Sequence, residues 1–134
     1  MKAIPAAFAL AFAPLILAAQ DAPATEAAPA APAADLPELS MEQTAALRCG
    51  VAFGLVAGGQ EAGDERALAF PKMEPRGLEY FVRTMAKLMD EKSLTRPQVQ
   101  ALARQEVGRL QRAGPAAVVE MMPNCLMLLE ASGV

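Results

Sequence analysis

The chain has 134 residues, two cysteines, no histidine and a formal net charge of −3 at neutral pH. From Leu39 onward eleven acidic residues balance eleven basic ones, so the excess acid lies ahead of that point and not on a folded domain. A neutral domain with one Tyr, five Phe and no Trp lacks the basic, aromatic footprint of a nucleic-acid binder. The absence of His removes the usual general base and the commonest metal ligand.

Met1-Lys2 opens the chain, and Ala3 to Ala19 follows as an unbroken run of apolar residues and proline. That run falls short of the ~20 apolar residues a spanning helix needs, and Pro14 weakens it further. A charged start, a short apolar stretch and small residues at Ala18-Ala19 together read as a signal peptide, residues 1–19, cut before Gln20. The alternative is an uncleaved anchor. Export places the rest of the chain in an oxidising compartment, periplasmic or secreted, with no membrane span after processing.

Residues 20–38 are alanine, proline and a few acids, with Pro23, Pro29, Pro32 and Pro37 distributed through them. Proline fixes φ and removes a hydrogen-bond donor, so this stretch predicts an extended, disordered linker.

Residues 39–134 predict one small all-α domain, a bundle of about four helices. Ser40-Met41-Glu42-Gln43 is a capping box that starts the first helix, which is expected to stop at Gly58-Gly59. Between Gln43 and Gln60 its only charge is Arg48, so it should be buried on most sides. Ala46, Gly50, Gly54 and Gly58 recur every fourth residue, which predicts close approach of another helix along that stripe. Residues 60–72 read as a polar loop with one short turn near Ala67-Leu68. A helix starting at Pro75 carries Leu78, Phe81, Val82, Met85, Leu88 and Met89 at helical spacing, its predicted core face. Thr95-Arg96-Pro97-Gln98 is a second capping box, and its helix runs to Ala113 before Gly114-Pro115. The last segment starts at Pro115, is expected to break at Pro123, and resumes as a short apolar helix over residues 125–129.

Cys49 and Cys125 fall in the two most apolar segments. Two cysteines in one exported domain predict a disulfide, which at a separation of ~76 residues is worth about 4 kcal/mol by loop entropy. Three constellations carry possible chemistry. Glu61, Asp64 and Glu65 cluster after the first helix; paired carboxylates support hydrolysis only in a cleft that perturbs one of them, and solvation is the simpler role. Met85, Met89, Met121, Met122 and Met127 are the one unusual abundance; thioethers select Cu(I), but methionine on an apolar helix face also fills a core. Arg96, Arg104, Arg109 and Arg112 outnumber Glu106 on the third helix and read as a solvated face.

The alanine-rich leader, the Ala/Pro linker, and the Arg48-Cys49 and Pro123-Asn124-Cys125 settings resemble small exported proteins of uncertain role in GC-rich proteobacteria. A weaker resemblance, in size, helical content, periplasmic location and single disulfide, is to HdeA-like acid-stress chaperones. Neither resemblance implies a cofactor or catalytic residues. The functional reading is a non-enzymatic module that binds an unknown protein partner in the cell envelope, with no cofactor and no metal. A Met/Cys-based Cu(I)-handling protein is the alternative, and a carboxylate-dependent hydrolase the third.

Overall fold

The computed structural model describes residues 36–134; the expected signal peptide and the expected linker as far as residue 35 lie outside the described residues. Five helices follow one another: α1 (Met41–Glu61), α2 (Glu65–Leu68), α3 (Arg76–Lys92), α4 (Arg96–Ala113) and α5 (Pro115–Ala131). The described residues hold no strand. None of their helices is long and apolar enough to cross a membrane.

α1 is the central element and touches each of the other four helices. Its lack of charge explains why. Leu47, Cys49, Val51, Ala52, Phe53 and Val56 point in different directions round the helix, and all are buried. Both predicted capping boxes are present. The Ser40 hydroxyl accepts from the Gln43 backbone N–H, the Gln43 side chain accepts from the Ser40 N–H, and Thr95 and Gln98 repeat the arrangement on α4.

α1 and α3 run antiparallel, with Gln43 bonded to Glu91 at one end and Phe53 facing Gly77 near the other. The approach at Gly77 is tight. A Cβ there would lie 2.9 Å from the Phe53 Cβ, so only glycine fits without a shift. That contact brings the Phe53 and Tyr80 rings together edge to face, centroids 5.2 Å apart.

Four sequence expectations are corrected. α1 does not stop at Gly58-Gly59 but continues to Glu61, with Gly59 in close contact with Ala67 of α2, and the chain turns instead at Gly63, whose φ is +75°. The turn near Ala67-Leu68 is a short helix capped by Asp64. Pro123 does not break the last segment: α5 is one helix, with Pro123 exposed inside it and Met122 and Cys125 buried on its inner face. On that outer face water can serve the carbonyl that proline leaves unbonded, so the helix persists.

The fourth correction concerns α3. Its buried line is Gly77, Tyr80, Thr84 and Leu88. Leu78 and Val82, expected in the core, are 55% and 56% exposed. Phe81, Met85 and Met89 are half-buried along the border. The helix is rotated towards the side that buries Tyr80 and Thr84; burial raises the Tyr80 hydroxyl above its ordinary pKa, with the neighbouring Thr84 opposing.

Candidate functional site

The covalent feature of the domain is the disulfide between Cys49 on α1 and Cys125 on α5, with Cα atoms 5.2 Å apart. Both residues are buried, Cys49 at 4% and Cys125 at 1% exposure, so a reductant reaches the bond poorly in the folded state. Glycine does not provide the close approach, as the stripe had suggested. Gly50 faces Phe81 of α3, whereas Gly54 and Gly58 face open space. The bridge also consumes both thiols, which removes thiolates from any metal-ligand set.

A buried ion cluster sits beside it. Glu106 is 4% exposed, accepts from Arg48 Nε at 2.7 Å and lies 3.2 Å from Arg109 Nη1. Residues just ahead of α1, Leu36 and Leu39, pack over the same region with Leu47 and Leu102. The sequence held a signal for this pair: Arg48 is the only charge in the middle of α1 and Glu106 the only acid of α4.

The carboxylates after α1 do not form a cleft. Glu61 ends α1, Asp64 caps α2 and Glu65 is its first residue, and all three are exposed. Asp64 accepts from the Arg66 backbone N–H at 2.9 Å, and that bond holds its carboxyl below the usual range. A general acid needs the opposite shift. Among the described residues no group of three or more His, Cys, Asp or Glu is placed to hold a metal ion.

The methionines are scattered over several environments. Met73 and Met122 are fully buried among the core, while Met85, Met89 and Met121 pack against its edge. Met41 and Met127 project into solvent. On α5, the five-residue step from Met122 to Met127 turns the two thioethers roughly 140° apart at ~100° per residue.

Gln60, which sequence reasoning passed over, fixes the loop. Its Nε2 donates to the carbonyls of Ala67, Phe70 and Pro71 at 3.1, 3.2 and 2.9 Å, and its Oε1 accepts from the Met73 N–H at 3.0 Å. The loop so held walls an apolar depression of about 430 Å³, floored by Ala57 and flanked by Leu68 and Phe70, with Glu61, Lys72 and Glu74 on its rim. Gly54 lies one turn before Ala57 on the same face of α1 and is exposed. In the antiparallel register set by Phe53 against Gly77 and Gly50 against Phe81, Gly54 follows Phe53 on α1 while Leu78 and Val82 follow Gly77 and Phe81 on α3. A second cleft of about 470 Å³ lies between α1, α3 and the C-terminal residues, and its cations are already paired, Arg83 with Glu79 and Lys87 with Glu42 and Glu91.

No protein family, curated protein or solved structure was found to match the chain.

Proposed function

We propose that the chain is a non-enzymatic, partner-binding module of the periplasm or cell exterior, and that an apolar helix of its protein partner lies along the face shared by α1 and α3. The observation that carries this reading is that α3 has two apolar lines and only one is covered. The covered line builds the core. The other, Leu78, Val82, Met85 and Met89, follows the 4-3-4 spacing of a helix seam, and its first two members are more than half exposed. Beside it the exposed backbone of Gly54 and Gly58 offers a flat bed that a second helix could approach closely. Monomeric proteins seldom leave adjoining large apolar side chains in water without a use.

The disulfide supports the same reading. It closes the frame behind the face, so the face is presented by a stiff scaffold in an oxidising medium.

Cross-linking in intact cell envelopes tests the proposal. Wild-type chain should link to one defined envelope protein, and Leu78→Ser/Val82→Ser should lose that link while keeping its melting temperature. Equal linking by both proteins, or linking only between copies of this chain, would contradict it.

A further inference from the structure

Four arginines lie in helices other than α4, and each is ion-paired: Arg48 with Glu106, Arg66 with Asp64, Arg76 with Glu130, and Arg83 with Glu79. α4 reverses that pattern. Its exposed Arg96, Arg104 and Arg112 meet no carboxylate among the described residues, and only Arg109 reaches one, Glu106. Since Glu106 is the helix's only acid and is buried, the outer surface of α4 carries four cations and no anion. The other residues from Leu39 onward hold ten acids and seven bases. A neutral domain is therefore strongly dipolar, positive over α4.

The helix dipole does not account for this. It favours cations in the last turn, where Arg112 sits, but disfavours Arg96 in the first turn and leaves Arg104 indifferent.

We propose that the arginine face of α4 docks onto the anionic headgroups of a phospholipid surface. Guanidinium groups bind phosphate oxygens in pairs, and every cation on this helix is Arg. Between the arginines lie Gln100, Gln105 and Gln111, which add hydrogen bonds. No large apolar residue of α4 is exposed, so the face lacks the apolar centre of a protein interface. Mobile headgroups can arrange themselves around fixed cations without a matching shape. This face is separate from the Leu78–Val82 line, so either surface can fail its test without the other.

Sedimentation of the full chain with phosphatidylglycerol-containing vesicles and with pure phosphatidylcholine vesicles, at low and high salt, is the test. One arginine near an anionic surface contributes about fivefold to partitioning, so Arg104→Gln/Arg112→Gln should lose about 25-fold. Lys72→Gln/Lys92→Gln removes the same charge from other parts of the surface and should lose less than about threefold. Arg104→Lys/Arg112→Lys, which keeps the charge but not the paired bonds, should lose less than the neutralised pair and more than the lysine control. Equal losses in the two neutralised variants, binding to neutral vesicles as strong as to anionic ones, or tighter binding to duplex DNA than to anionic vesicles at the same salt would overturn the proposal.

Discussion

Arg48, the one charge in the middle of α1, and Glu106, the one acid of α4, meet across the α1–α4 contact with Nε 2.7 Å from Oε1. The guanidinium is partly exposed, but the carboxylate is almost wholly buried. Taking an arginine away from a buried carboxylate leaves a desolvated charge without its partner. Arg109 remains at 3.2 Å and softens the loss. Arg48→Ala should therefore cost about 2 kcal/mol in urea unfolding. Arg48→Met/Glu106→Leu, which removes both charges and restores volume, should recover most of it. A double variant weaker than the single one would show that the pair itself stabilises the fold.

Two glycines give opposite outcomes. At Gly77 an added methyl group meets the Phe53 Cβ at 2.9 Å, so Gly77→Ala should destabilise by about 2 kcal/mol through overpacking. At Gly54 nothing lies within 4 Å, so Gly54→Ala should stabilise by about 1 kcal/mol through helix propensity. Thermal unfolding of the two variants beside wild type distinguishes them. The same sign for both would contradict the α1–α3 packing.

Much of this architecture was legible from local chemistry. Ser40 and Thr95 mark helix starts because their hydroxyls satisfy free N–H groups, and Cys49 and Cys125 pair because the two most apolar segments bury each other. What escaped was decided by neighbours. Periodicity put Leu78 and Val82 inside, yet α3 buries Gly77, Tyr80 and Thr84, since the Gly77 contact and the Tyr80 ring both pack on Phe53 of α1. Pro123 suggested a break because sequence does not reveal that it would face outward. The candidate face became visible only with that rotation.

Acid should weaken the contact that ties α3 to the C-terminal end. Arg76 donates to Glu130 at 2.8 Å and to the Val134 carbonyl at 2.8 Å, and the Arg76 bond holds the Glu130 carboxyl below its ordinary pKa. Asp64 is lowered likewise at the start of α2. A depressed carboxylate contributes its stability fully above the unfolded-state pKa, about 4.3 for Glu, and loses it as pH falls through the lower folded value. Carboxyl carbon titration by NMR should give Glu130 a midpoint below that reference, and Arg76→Gln should return it to normal. An unshifted Glu130 in the wild type would contradict the contact.

Removing the disulfide should cost more than any surface change. Chain entropy alone gives about 4 kcal/mol for a loop of this length. Cys125→Ser should lower stability by that order, and protein purified from an oxidising compartment should show no free thiol after denaturation without reductant. Two free thiols would refute the bridge.

The most direct test of the partner-binding account is a photo-reactive residue placed at Val82 and, as a control, at the exposed Glu120 of α5. Illumination of intact envelopes should join position 82 to one partner protein and leave position 120 without that adduct. The same adduct at both positions, or none at Val82, would contradict the assignment of the α1–α3 face as the docking surface.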